Sequence, residues 1–143
     1  MTRWLALDHG SRRIGLAVGD DETGMAFARP ALRRRGAADV KAVAELAARE
    51  STRQVLVGLP LLMDGREGSQ AATVRRFGLA LEGLGLTVTY ADERLSSWEA
   101  REELNAARRR PSRASGALDS TAARLILQHY LDARSGRLVP QEP

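Results

Sequence analysis

The chain has 143 residues, which suits one domain rather than two; 43% are hydrophobic and only 4% aromatic, so a core would be built mainly of Leu, Val, Ala and Ile. It has no cysteine, which excludes disulfides and thiolate-held zinc, and His9 and His129 are its only imidazoles. Any metal site would therefore rest on oxygen donors, favouring Mg2+ or Mn2+. The net charge of +4 points to a polyanionic partner, most often nucleic acid. Lys41 is the only lysine; arginine's planar fork suits phosphate, and a compositional bias toward Arg and Ala explains the arginines equally well.

Trp4 to Asp8 reads as a buried strand, His9 to Arg13 as a turn, and Ile14 to Gly19 as a second strand. Asp20 to Gly24 is a turn and Met25 to Arg29 a third strand, completing a meander. Asp39 is predicted to cap a helix running to about Glu50, with Val40, Val43, Ala44 and Ala47 at helical spacing. Gln54 to Gly58 carries a Val-Leu-Val run that fits a central parallel strand buried on both faces. A loop from Leu59 to Gly68 leads to a helix from about Ser69 to Leu84, with Val74, Phe77, Leu81 and Leu84 on one stripe. Thr87 to Ala91 is the fifth strand. Ser96 to Glu99 forms a capping box for a helix reaching about Ala107, Arg108 to Gly116 reads as a basic loop, and Leu118 to Ala133 as the last helix.

The order β-β-β-α-β-α-β-α-α implies an α/β fold, a five-stranded mixed sheet with helices on both faces, which is the order of the ribonuclease H-like fold. Residues 1–134 are read as the domain and 135–143 as a flexible C-terminal tail. No apolar run approaches the roughly 20 residues that span a bilayer, and the N-terminus does not read as a signal peptide, so a cytoplasmic protein without membrane contact is expected.

Three acids stand out. Asp8 ends the first strand, Asp92 and Glu93 end the fifth, and ligands of open α/β sheets gather beyond the carboxyl ends of strands. Asp119 shares a stripe with Ala122, Ile126 and Tyr130, at the end of the face that packs on the sheet. Carboxylates held toward an interior are costly, and a shared divalent cation offsets several together. Taken singly, Asp8 also fits a turn, Glu93 a surface pair with Arg94, and Asp119 a helix N-cap.

Gly10 and Gly15 flank the first hairpin turn, where they either allow backbone to approach a phosphate or supply positive φ. Arg12 and Arg13 at that turn are candidate phosphate clamps, with solvent exposure as the alternative. Asp64-Gly65 is a turn dipeptide, and Gly65 and Gly68 precede a helix N-terminus that favours anions. Arg108, Arg109, Arg110 and Arg113, together with Arg94, form the candidate nucleic-acid contacts, or else a solvated loop. His9 could shuttle protons but reads as a solvated turn residue, and His129 as helix-end charge. With so few aromatics, recognition of a duplex or junction by its backbone fits better than base stacking.

Four segments, in order, resemble the YqgF (RuvX) family: Leu7 to Ala17; Val57 to Pro60 with Met63-Asp64-Gly65 and Gly68; Asp92 to Ser97; and Leu118-Asp119-Ser120 with Ala122-Ala123 and Ile126-Leu127-Gln128. They span nearly the whole chain. The resemblance implies a ribonuclease H-like fold related to RuvC Holliday junction resolvases. It also implies metal-dependent phosphodiester cleavage, in 5′-end processing of pre-16S rRNA or in resolution of branched DNA. The family's acids fall on Asp8, Glu93 and Asp119, as catalytic residues and metal ligands. The chain departs from RuvC-like enzymes in two ways: Gly58-Leu59-Pro60 stands where they carry an acid on the fourth strand, and the last helix has one acid rather than two. Glu93 must stand in for the missing acid, and the number of metals is left open. A homodimer would suit a two-fold symmetric junction. The alternative is a non-catalytic binding protein of the same fold. An actin-like phosphotransferase would need a second domain for which the chain has no room.

Overall fold

The computed structural model describes residues 1–94, 98–109 and 120–136, without the side chains of 98–100. Five strands, β1 (Arg3–His9), β2 (Arg13–Asp20), β3 (Ala26–Arg33), β4 (Gln54–Leu59) and β5 (Thr87–Asp92), form one sheet in the order β3-β2-β1-β4-β5. The meander β1–β2–β3 is antiparallel, and β4 and β5 join β1 in parallel. The helices are α1 (Ala38–Arg49), α2 (Ser69–Gly83), α3 (Trp98–Arg109) and α4 (Thr121–Ser135).

Period-two alternation gives the sheet two unlike faces. Leu5, Leu7, Ile14, Leu16, Val18, Val55 and Val57 point to one side, where Val43 and Ala47 of α1 and Val74 and Leu81 of α2 complete a core. The other side is lined largely by small residues, Ala6, Ala17 and Ala26 with Gly15, Gly19 and Gly58, and receives Ala122, Ala123, Ile126 and Leu127 of α4 and Leu104 and Ala107 of α3. Small side chains let α4 lie close to the sheet. Two side-chain contacts fix its position along β2 and β3. The Ser120 hydroxyl accepts the Leu16 N–H at 2.9 Å, and Gln128 accepts the Ala26 N–H at 2.9 Å while donating to the Gly24 carbonyl at 2.8 Å.

The structure extends or revises several sequence-based expectations. β3 continues past Arg29 to Arg33, with a register shift opposite Ile14–Leu16 that takes up Pro30; as an edge strand it tolerates a residue with no N–H to donate. Asp39 is not the cap of α1. It lies inside the first turn, 3% exposed, and its carboxylate turns back to accept the N–H groups of Arg35 and Gly36. Leu84 is the C-cap of α2 and exposed, because the buried stripe of that helix ends at Leu81. α3 runs on to Arg109, so Arg108 and Arg109 are helical rather than part of a loop. Ser96 and Ser97 of the expected capping box, Leu118 and Asp119 of the expected helix start, and residues 110–116 lie outside the described residues. Gly136, at φ 77°, ends α4 in the left-handed region, and the tail beyond it also lies outside them.

Candidate active site

Alternation along the strands decides which acids can meet. Trp4, Ala6 and Asp8 face the α3–α4 side of β1, and Ala91 and Glu93 continue that side at the end of β5. Between them lies β4, whose Val57 pairs with Leu7 of β1 and whose Gly58 pairs with Ala91 of β5. The Glu93 N–H prolongs the ladder to the Leu59 carbonyl at 3.2 Å. With no side chain at Gly58, the Glu93 carboxylate lies across it: a Cβ there would sit 2.5 Å from Glu93 Oε1 and 3.0 Å from the Ile126 methyl. The glycine that replaces an acid on the fourth strand is thus the space that the fifth-strand acid fills.

Both acids converge on one cation. Arg108 of α3 places Nη2 2.9 Å from Asp8 Oδ1 and 2.7 Å from Glu93 Oε2. The Glu93 side chain is only 9% exposed and that of Asp8 18%. Burial pushes the Glu93 carboxyl up to about 7, with Arg108 pulling it down and the neighbouring Asp8 raising it further. The surface pair between Glu93 and Arg94 is not formed. Arg94 instead holds Asp92 through a fork of hydrogen bonds, Nε at 3.1 Å and Nη2 at 2.7 Å, and lies over Gly65.

These acids open into a cleft of about 630 Å³, lined also by Gly10, Arg12, Arg13, Arg34, Gln70, Thr73 and Arg108. Gly10 and Gly15 do not adopt positive φ; their value is close approach. A Cβ on Gly10 would meet the Arg13 carbonyl at 2.8 Å, and one on Gly15 would face the Asp8 and Ala123 Cβ atoms at 3.5 and 3.6 Å. Arg34, not anticipated from the sequence, donates to the Gly10 carbonyl at 3.2 Å, and its backbone N–H reaches the Arg12 carbonyl at 2.9 Å. The meander supplied a signal for it: a hairpin returns the end of β3 to the turn before β2.

His9 is not a solvated turn residue. Its ring lies 4.6 Å from that of Phe77, and Nε2 is buried with no hydrogen-bond partner among the described residues. Burial, and then Arg34, holds its pKa below the usual imidazole value, so it is neutral at pH 7. His129 lines a second groove with Tyr90, Asp92 and Tyr130, and does not line the cleft that holds Asp8 and Glu93. Gly65 (φ 89°) closes the expected turn and Gly68 is the N-cap of α2, yet neither lines the cleft. Arg109 is exposed at the end of α3. Arg110, Arg113 and Asp119 lie outside the described residues; among those described, no three acid or imidazole side chains gather as a metal site.

The donors present are hard oxygens, and the two carboxylates already converge on a single positive charge, so this pair suits a divalent cation. None of the described helices is long and apolar enough to cross a membrane.

Comparison with known proteins bears on the family and the fold. The family described as "RuvX: Holliday junction resolvase" matches residues 2–133. A protein of Synechococcus elongatus called "Putative pre-16S rRNA nuclease" is 46% identical over 131 residues, covering 90% of this chain and 87% of its own. One of the same name from Anaeromyxobacter sp. strain K is 44% identical over 135 residues, covering 93% and 98%. Among solved structures, Thermus thermophilus RuvC in complex with a Holliday junction substrate matches with a TM-score of 0.55 at 17% identity, over 95% of this chain and 97% of that one. A second Thermus thermophilus RuvC structure matches at 0.53 and 18% identity, over 94% and 97%. These two matches show that the fold is RuvC-like, the ribonuclease H-like fold expected from the order of elements.

Proposed function

The chain belongs to the RuvX family of Holliday junction resolvases and is a nuclease, a hydrolase of phosphodiester bonds; from that premise we propose that the cleft at Asp8 and Glu93 is its catalytic centre and that it cuts structured nucleic acid. The substrates are a pre-16S rRNA 5′ region, a branched DNA, or both, and an rRNA precursor would place its work in the cytoplasm. The observation that carries the reading is the meeting of Asp8 and Glu93, from two separate strands, around one positive charge in an arginine-lined cleft.

Asp8 and Glu93 would hold Mg2+ or Mn2+, with Asp119 as the third ligand. Asp119 precedes Ser120, whose hydroxyl is tied to Leu16, next to the Gly15 that pairs with Asp8. When bound, the metal lowers the pKa of a coordinated water and steadies the leaving oxygen. The protein's own part is positioning. Pairing with Gly15 of β2 holds the backbone of Asp8, β4 holds the preceding Leu7, and Gly58 leaves the room in which Glu93 lies. Arg12, Arg13 and Arg34 bring positive charge to the cleft wall, suited to phosphates flanking the scissile one. Gly10 and Gly15 keep that wall free of side chains. The products are a 5′-phosphate and a 3′-hydroxyl. Arg94, Arg109, Arg110 and Arg113 extend the contact surface, and a homodimer would present two such clefts to a symmetric junction.

The test sets a four-way DNA junction and a pre-16S rRNA fragment side by side, with Mg2+ and with Mn2+. Asp8→Asn should abolish cleavage and leave nucleic-acid affinity near that of the unmodified protein. Cutting by that variant at an unchanged rate would remove Asp8 from the chemistry.

A further inference from the structure

The Arg108 guanidinium occupies the position between Asp8 and Glu93 that a cation-binding site would offer. One nitrogen is shared by both carboxylates, at 2.9 and 2.7 Å, so Arg108 is held by each of the acids assigned to metal binding. Oxygen donors sit about 2.0–2.1 Å from Mg2+, so a metal between these carboxylates and a guanidinium on the same oxygens would nearly touch, two cations in a largely buried site. Arginine cannot relieve the conflict by losing its proton. It can move: it stands on the last turn of α3, its side chain is 31% exposed, and the cleft beside it is open.

We propose that Arg108 is a built-in competitor of the divalent metal: guanidinium and metal occupy the Asp8–Glu93 pair alternately, and metal entry expels Arg108 into the cleft. This rests on the reading that Asp8 and Glu93 bind metal. Competition by an attached cation weakens apparent metal affinity by the cost of parting it from both acids. One charge-assisted hydrogen bond is worth a factor of about tenfold or more, and two are given up together, so about tenfold is the least the competition should cost.

The experiment is Mn2+ titration of the full chain, by calorimetry and by the electron paramagnetic resonance signal of free Mn2+, at pH 8 and low salt. Arg108→Gln should bind Mn2+ about tenfold or more tightly than the unmodified protein, while Arg108→Lys, which keeps the charge, should stay closer to it. Asp8→Asn should lose the binding. If Asp8→Asn loses binding but Arg108→Gln binds no tighter, competition is refuted and the metal site stands. If no variant binds Mn2+, or Asp8→Asn binds unchanged, the metal reading fails and takes this one with it. Should Arg108→Gln not fold, the unmodified protein decides. The Arg108 side-chain Nε–H resonance, assigned through Arg108→Lys, should move on titration with Mg2+; a resonance unmoved at saturating Mg2+ overturns the proposal.

Discussion

Acids meet arginines at both ends of β1, and the two meetings have opposite effects. At the start of the strand, Glu50 receives Arg3 Nη2 at 2.7 Å and Arg29 Nε at 3.0 Å, two cations for one carboxylate. Hydrogen bonds from Arg29 and then Arg3 hold its pKa below the usual carboxylate value despite partial burial. At the end of the strand, Asp8 and Glu93 share one cation, and burial raises Glu93 to about 7. The same two residue types build a brace where two guanidiniums meet one carboxylate, and the proposed catalytic site where two carboxylates meet one guanidinium. What separates them is the count of charges and the depth of burial.

The largest expected effect falls on the negative end. Glu93→Gln should lower the cleavage rate by at least the roughly 10²–10³-fold that loss of one electrostatic group costs, measured on whichever substrate the protein cuts. A variant that cuts normally would leave the fifth-strand acid without a role. Gly58→Ala leaves both acids in place but pushes a methyl into Glu93 and Ile126. Displacement of about an ångström costs up to about 10²-fold, so cleavage should fall by about 10–100-fold while the fold persists by circular dichroism.

The positive end should respond in stability alone. Glu50→Gln removes an acceptor from two arginines and should cost about 1–2 kcal/mol in urea unfolding, after allowance for the exposure of Arg29. Its cleavage rate, measured well below the melting temperature, should not change. A drop in rate with intact stability would mean that the two ends are coupled.

The smallest effect is one of pH, and its sign differs between the ends. The lowered pKa of Glu50 means that its contribution is present at neutral pH and is lost as pH falls below about 4.5, through the folded-state value. Glu93 is raised, so in metal-free protein the folded state holds a proton that the unfolded chain releases. Its effect is to reduce stability as pH rises from about 4.5 to about 7, with no further change above. The difference in melting temperature between Glu93→Gln and the unmodified protein, in chelator, should therefore grow in favour of the variant from pH 5 to pH 8. A constant difference would show that Glu93 ionises as an ordinary acid.

The succession of strands and helices along the chain, the helices on both faces and Asp8 at a strand end were legible because periodicity and turn residues are local properties. Glu93 could be named by position, but not how its carboxylate comes to lie beside Asp8. That depends on Gly58, a residue whose contribution is empty space against a neighbour on another strand. Arg108 illustrates the opposite difficulty. Its run of arginines reads as a solvated loop, yet α3 continues two residues further and brings its guanidinium onto two acids distant in sequence. Asp39 misled in a third way: a helix-start acid resembles a cap, and only the returning Arg35–Gly36 backbone reveals that it serves the preceding loop. Contacts that span the sheet are not written in any window of sequence.

The two clamps of α4 have a consequence for how the molecule is made. Ser120 and Gln128 close hydrogen bonds to Leu16, Gly24 and Ala26, partners about a hundred residues earlier. During synthesis the meander emerges well before α4, a helix that packs on its small-residue face. The part of that face under α4 stays bare until α4 is made, and closing it requires contacts of very long sequence separation, the kind that slows folding. A nascent chain that has not yet reached α4 would carry a sheet whose small-residue face lacks Ala122, Ala123, Ile126 and Leu127.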